Sequence, residues 1–318
     1  FMKKILITRK LIKSSENYAS KVFEAKFNEN DHLLTKEQII KESQGCDGIL
    51  SSLTEKFDSD IISKLPKTIK IISNFAVGFG NIDIIAAKDK NIVVTNTPDV
   101  LTDATAEINI LILLAAARRA KEGMEAAQTK KWKWTSDFLM GKQMTGSRLG
   151  ILGMGRIGRA VADRARSFGM KIHYFNRSRL SKDLEKDAIY HKTLESLLSV
   201  SDFFSINCPA TKETKHIINK ESIKNFPDGA VVSNSARGDM IDDKAMSEAL
   251  KSGKIYSLGI DVYNGEPNIH PDYLTLPNVF VLPHLGSATK KTRTAMADLA
   301  VNNLKDYFKT GKCKNQVN

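Results

Sequence analysis

The chain has 318 residues, 42% of them hydrophobic and 26% charged. That is a folded composition, which excludes disordered, collagen-like and mucin-like classes, and the length suits two domains better than one. The formal net charge of +12 comes with lysines spread from Lys3 to Lys314, which read as ordinary surface charge, so neither nucleic acid nor a membrane surface is expected as a partner.

Phe1 stands ahead of Met2 and reads as an addition to the natural start. The residues after it lack both a long apolar region and a small-residue cleavage site, so no secretory signal is expected. From 4 to 96, short apolar runs at 4–8, 23–27, 48–51, 69–74 and 92–96 alternate with helix-like stretches, which predicts βα repeats around a parallel sheet. Thr97-Pro98-Asp99 ends the last run. Thr102-Asp103 then offers N-cap chemistry for a helix to about Arg119, read as a bridge between domains. Its apolar stretch, 110–117, stops at Arg118 and Arg119 and is far short of the ~18 residues a membrane span needs. Trp132, Trp134, Phe138, Leu139 and Met140 form an apolar cluster that suits either an interface patch or a domain core.

A second series of runs follows at 149–153, 171–176, 203–207, 230–235, 257–262 and 279–282, again with helical segments between them. From Ser287 to Phe308, Ala288, Met296, Leu299, Ala300, Leu304 and Phe308 recur at helical spacing and predict a helix that returns to the first domain. The three cysteines, Cys46, Cys208 and Cys313, are odd in number and far apart. They fit neither a disulfide framework nor a metal knuckle, so no metal and a reducing cytoplasmic compartment are expected.

The sharpest motif is Gly153-Met154-Gly155-Arg156-Ile157-Gly158, entered from the apolar run 149–152 and left through a helical stretch ending near Phe168. At such a strand-to-helix turn the first glycine makes the bend, the second admits a pyrophosphate and the third lets helix pack on strand. An NAD-preferring site places a carboxylate about 20 residues later for the ribose 2′-OH. Here Asn176 stands in that position, followed by Arg177, Ser178 and Arg179, which removes a repulsive charge and brings guanidinium groups that suit a 2′-phosphate. NADP(H) is the expected preference, with NAD(H) as the lesser cofactor.

Three later segments end strands with unusual polar residues: Ser235-Ala236-Arg237-Gly238, Gly265-Glu266-Pro267 and Pro283-His284-Leu285-Gly286-Ser287. In an open α/β sheet, ligands sit beyond the carboxyl ends of the strands, where these residues can converge. Reduction of a 2-keto acid needs a cation for the carboxylate and a proton for the oxygen at C2. Arg237 suits the first through a bidentate contact. His284 suits the second, because an imidazole ionises near pH ~6.5. Glu266, bonded to the other ring nitrogen, would orient it.

With these motifs the chain resembles the D-isomer-specific 2-hydroxy-acid dehydrogenases over nearly its whole length. Its nearest likeness is to the glyoxylate/hydroxypyruvate reductase branch, through the segment 97–103, the Asn176-Arg177-Ser178-Arg179 run and the Trp132/Trp134 segment. The resemblance implies two doubly wound parallel-sheet α/β domains. A flavodoxin-like substrate domain would be built from 2–100 and 286–318, and a Rossmann domain from 101–285. It implies catalytic roles for Arg237, Glu266 and His284. It also implies substrate contacts from Val77 and Gly78 of the loop 76–80, with Ser287 beside Arg237 and His284. For the cofactor it adds Thr105, Cys208, Pro209, Ser235, Ala236, Asp261 and Gly286 to the glycine turn, Arg156, Ile157 and the 176–179 run. The expected reaction is reduction of glyoxylate or hydroxypyruvate to glycolate or D-glycerate. Relatives are typically homodimers, and the expected arrangement brings Trp134 or its neighbours toward the partner's pocket. A D-lactate type dehydrogenase and a non-enzymatic dinucleotide-sensing corepressor-like protein remain open on the same motifs.

Overall fold

The computed structural model describes residues 2–318, so Phe1 lies outside the described residues. The chain divides into two compact units, one made of the residues up to Leu101 together with Ala288–Asn318, the other of Thr102–Ser287.

The first unit holds β1 (Lys4–Ile7), β2 (Glu24–Phe27), β3 (Gly48–Ser52), β4 (Ile71–Phe75) and β5 (Val93–Thr95) in a parallel sheet of order β2-β1-β3-β4-β5. Successive side chains of a strand face opposite ways. Thus Ile5, Ile7, Leu50 and Ile71 pack against Ala297, Ala300, Val301 and Leu304 of the helix Lys290–Thr310, while Leu6, Ile49, Ile72 and Val94 meet Ile39, Ile61 and Ile62 on the other face. That burial on both faces explains why the strands read as continuous apolar runs. The final helix returns as expected, tied by Ser73 Oγ to the Ala300 carbonyl at 2.9 Å and by Asn303 Nδ2 to the Asn96 carbonyl at 2.9 Å.

The second unit carries β6 (Arg148–Leu152), β7 (Lys171–Phe175), β8 (Ile189–His191), β9 (Phe203–Ile206), β10 (Ala230–Asn234), β11 (Ile255–Ile260) and β12 (Val279–Val281). All pair in parallel in the order β12-β11-β10-β9-β6-β7-β8. One face buries Ile151, Ile172, Tyr174, Phe203 and Val231; the other buries Leu152, Phe204, Ile206, Val232, Leu258 and Ile260. Strand order reverses between β6 and β9, which opens a crevice at their carboxyl ends.

Two expectations need correction, and one of two open alternatives falls away. The helix Thr102–Ala117 lies wholly in the second unit, with Thr102 inside it rather than capping it. It packs across β9 to β12 and buries ten residues because its apolar residues run all round, leaving no polar stripe for a solvent-bridging element. The short edge strand β8 was not anticipated, and β11 starts two residues earlier than the apolar run suggests. Finally, Trp132, Trp134, Phe138 and Met140 are exposed, Trp134 by 78%, so the cluster is no domain core.

Candidate active site

The site of the second unit opens at the glycine turn. Gly153 follows β6 with φ +92°, a conformation that glycine adopts without steric cost. A Cβ there would lie 2.6 Å from the Cys208 backbone nitrogen, so the turn after β6 touches the segment after β9. Gly155 faces open space, and Gly158 lies so close to the Gly153 carbonyl that no side chain would fit between helix and strand. The helix Arg156–Ser167, 12 residues long, begins here with the positive end of its dipole. These residues fit a dinucleotide: an uncrowded glycine at a helix N-terminus is what a pyrophosphate needs.

At the end of β7, Asn176 Oδ1 accepts the Met154 N–H at 2.7 Å, which ties the polar run to the glycine turn. Arg177 and Ser178 are exposed, and among the described residues Arg177 has no ion pair. Arg179 is placed differently. Its Nε lies 3.1 Å from both Glu185 oxygens and its Nη2 3.0 Å from one of them, while the guanidinium stands 5.9 Å from the Tyr190 ring. Glu185 is buried and also accepts the Tyr174 hydroxyl at 3.2 Å. At the end of β9, Cys208 Sγ lies 3.8 Å from Met240 Sδ, and burial pushes its thiol up to about 11, which makes it a small neutral residue. Pro209 beside it is exposed.

The turn after β10 is stapled by Asn234, whose Oδ1 accepts the Ala236 N–H at 2.9 Å and whose Nδ2 donates to the Arg237 carbonyl at 2.7 Å. Asn109, fully buried in the helix Thr102–Ala117, donates from Nδ2 to Ser235 Oγ at 2.8 Å and accepts the Ser205 hydroxyl at 2.8 Å. Arg237 donates from Nη1 to the Ala236 carbonyl at 2.6 Å and makes no other hydrogen bond among the described residues. Burial lowers its pKa, opposed by the charges of Glu266 and Asp239. Most of its donors are therefore free for an anion. Gly238 follows, and a side chain there would collide with the backbone of Tyr263 and Asn264, so its absence lets the Arg237 turn nest against the segment leading to Glu266.

Glu266 accepts the Tyr263 N–H on Oε1 at 3.1 Å and meets His284 Nδ1 with Oε2 at 2.7 Å. Burial pushes its carboxyl up, but the His284 hydrogen bond and charge, the Tyr263 N–H and Arg237 outweigh it and leave it below the ordinary value. With Nδ1 taken by the carboxylate, Nε2 is the nitrogen left to exchange a proton. Asp261, 1% exposed, accepts the Leu285 N–H at 2.6 Å and the Gly286 N–H at 2.7 Å on its two carboxylate oxygens. Thr105 Oγ1 donates to the Gly286 carbonyl at 3.2 Å, and Ser287 ends the turn half-buried.

Val77 and Gly78 belong to the first unit. The Val77 carbonyl accepts from Asn96 Nδ2 at 2.8 Å and the Gly78 carbonyl from Asn74 Nδ2 at 3.0 Å. Among the described residues, their N–H groups have no hydrogen-bond partner.

Sequence reasoning missed Asn109, Asn234 and Gly238. The first two are polar residues set in apolar runs, which is a visible signal. Gly238 directly follows Arg237 and was read only as part of its motif.

A parallel sheet that reverses at a glycine turn, with a free arginine and a carboxylate–histidine pair on the loops past its carboxyl edge, defines a dinucleotide-dependent oxidoreductase. Residues 110–286 match the family described as D-isomer specific 2-hydroxyacid dehydrogenase, NAD binding domain. The glycerate dehydrogenase of Hyphomicrobium methylovorum is 42% identical over 94% of each chain. The glyoxylate reductase of Thermococcus kodakarensis is 39% identical over 97% of this chain and 94% of its own. Among solved structures, the NADPH-dependent glyoxylate/hydroxypyruvate reductase of Sinorhizobium meliloti, in complex with NADP and malonate, superposes with a TM-score of 0.90 at 31% identity, covering 100% of this chain and 97% of that one. The chain belongs to the D-isomer specific 2-hydroxyacid dehydrogenase family and is an oxidoreductase using a nicotinamide dinucleotide.

Proposed function

We propose that this chain reduces a small 2-keto acid, glyoxylate or hydroxypyruvate, with NADPH preferred over NADH. The observation that carries this reading is the pair His284 Nδ1–Glu266 Oε2 at 2.7 Å, with the half-buried, largely unengaged guanidinium of Arg237, whose charge helps to lower the Glu266 pKa. Arg237 holds the substrate carboxylate. His284, oriented by Glu266, gives its Nε2 proton to the oxygen at C2 as the carbonyl π pair moves onto that oxygen, and the neutral imidazole regains a proton from solvent. A reduced nicotinamide, when bound, would supply the hydride to C2. Glu266 stays ionised and stabilises the charged imidazole before the transfer. Val77 and Gly78, whose N–H groups have no partner among the described residues, are proposed as further carboxylate donors, and Ser287 as a polar neighbour of His284.

For the cofactor, the glycine turn with Arg156 and Ile157 would receive the pyrophosphate, and Pro209, Ser235, Ala236 and Gly286 would help to hold the rest of the dinucleotide. Because Asn176 Oδ1 is taken by Met154, its Nδ2 is left to donate, which suits a 2′-phosphate and not a ribose hydroxyl seeking an acceptor. Arg177 and Ser178 are exposed beside it; Arg179 is not assigned to the phosphate, since Glu185 holds it. The S. meliloti relative, solved with NADP, supports this preference. The exposed Trp132, Trp134, Phe138 and Met140 support a homodimer, read by light scattering. Three free cysteines fit a reducing, cytoplasmic setting.

The test is a panel of small 2-keto acids assayed at fixed NADPH and again at fixed NADH. Turnover of glyoxylate or hydroxypyruvate with the higher kcat/KM on NADPH is expected. Faster turnover of pyruvate would instead indicate a D-lactate enzyme, and cofactor binding without turnover a sensor.

A further inference from the structure

The loop that follows β4 in the first unit has its backbone sorted by polarity. The carbonyls of Ala76, Val77, Gly78 and Phe79 are all taken, by the Thr97 N–H at 2.9 Å, Asn96 Nδ2 at 2.8 Å, Asn74 Nδ2 at 3.0 Å and the Ile82 N–H at 3.0 Å. The N–H groups of residues 77–80 have no hydrogen-bond partner among the described residues. A trans peptide is planar, so each N–H points opposite to the carbonyl of the residue before it. Holding the carbonyls of Ala76, Val77 and Gly78 therefore turns the N–H groups of Val77, Gly78 and Phe79 the other way. Successive N–H groups left free in a turn favour an anion. Two of these three carbonyls are held from the chain just past β5, and the third by Asn74. That residue lies in β4, is 0% exposed and has its whole amide engaged. Its Oδ1 accepts the Ser51 hydroxyl at 3.1 Å, and its Nδ2 donates to Asn81 Oδ1 at 3.1 Å as well as to Gly78. Asn81 in turn donates to the Ser52 and Glu55 carbonyls at 3.0 and 2.9 Å. A carbonyl only accepts, so the Asn74 atom that faces Gly78 has to be the nitrogen.

We propose that Asn74 is a positioning residue for the substrate carboxylate: it fixes the peptide that joins Gly78 to Phe79 and so makes the Phe79 N–H a third donor beside those of Val77 and Gly78. The proposal rests on the reading of this loop as a carboxylate site, and adds to it a donor and the side chain that aims it. The amide is matched to the task. Two acceptors, the Gly78 carbonyl and Asn81 Oδ1, need the two protons of one Nδ2, while the Ser51 hydroxyl needs the oxygen. An aspartate of nearly the same shape would set an oxygen against the Gly78 carbonyl. That peptide escapes the repulsion only by turning, and because it is planar the Phe79 N–H turns with it.

The experiment uses N74D, which replaces the donor by an acceptor, and N74A, which removes both and carries the test if N74D does not fold by circular dichroism. For each, KM and kcat are measured with glyoxylate, the inhibition constant with oxamate as an unreactive carboxylate analogue, and NADPH affinity by fluorescence titration. The KM for glyoxylate and the inhibition constant of oxamate should rise together by about 10-fold, the scale of one hydrogen bond to a charged group. Neither kcat nor NADPH affinity should change, because a contact kept from ground state to transition state alters binding alone. A purely structural role would lower the melting temperature without producing this split. Wild-type constants for glyoxylate and oxamate in a folded variant, or an equal loss of NADPH affinity, overturn the proposal. Amide resonances of the isotope-labelled wild-type NADPH complex, titrated with oxamate, separate the proposal from the reading beneath it. Shifts at Val77, Gly78 and Phe79 are expected. No shift at any of the three means that the loop is not the carboxylate site, and the proposal falls with it; shifts at Val77 and Gly78 without one at Phe79 overturn the third donor and leave the loop reading standing.

Discussion

Gly238 gives the most direct test of how packing positions this site. An alanine methyl at 238 would stand 2.0 Å from the carbonyl carbon of Tyr263 and 2.3 Å from the Asn264 nitrogen. Ordinary carbon contacts lie at about 3.5–4.0 Å, so relief requires the two backbone segments to part by about 1.5 Å. Both are main chain, so no side-chain rotation can absorb the shift. Gly238 has no positive φ, so alanine is conformationally acceptable there and the effect is steric alone. Overpacking of this kind costs about 1–3 kcal/mol, and a domain of this size loses roughly 2–4 °C of Tm per kcal/mol. The segment that moves joins β11 to Glu266, and Arg237 is the neighbour on the other side. G238A should therefore lose roughly 100-fold in kcat while binding NADPH normally. The assay pairs a melting curve with NADPH oxidation at saturating substrate. G123A is the control, since Gly123 sits in an exposed helix with nothing within 4 Å. An unchanged Tm and kcat in G238A would refute the steric reasoning, and a lower Tm with wild-type kcat would refute its extension to catalysis.

The two arginines after β7 should separate cleanly. R177A should raise the KM for NADPH about 10–100-fold, the range of a charged hydrogen bond, and spare NADH, whereas R179A, by unpairing the buried Glu185, should lower Tm and affect both cofactors alike; kinetics with each coenzyme and melting curves decide between these patterns. A third test concerns pH. His173 Nδ1 lies 2.9 Å from His191 Nε2, and His191 Nδ1 lies 2.7 Å from Ser196 Oγ. Burial lowers both pKa values, and for His173 the charges of His191, Arg148 and Lys171 add to this while Asp202 opposes it. A depressed histidine in the folded state means that the unfolded chain binds more protons, so stability is complete above pH ~6.5 and falls as pH drops through that value toward the folded pKa values. The melting temperature should fall across that acid window in wild type and less steeply in H173L; parallel slopes would show that the pair does not contribute.

Legibility from sequence follows from how local each cause is. Strands buried on both faces announce themselves as apolar runs, and all but one were visible; the exception, Ile189–His191, has three residues and lies at the sheet edge, so it carries no such run. Arg237, Glu266 and His284 were visible because each follows an apolar strand with residues that no core requires. What could not be read was which charges remain available. Arg179 and Arg237 look equivalent in the sequence, yet a buried carboxylate only six residues away consumes the first, while the second touches just its neighbour's carbonyl. Asp261 carries a contact that the sequence does not show, since its carboxylate accepts the N–H groups of Leu285 and Gly286. Residue type sets what a side chain can do, but its neighbours, often far along the chain, decide whether it is free to do it. In this protein Glu185 engages the Arg179 guanidinium, whereas the Arg237 guanidinium hydrogen-bonds only the Ala236 carbonyl among the described residues.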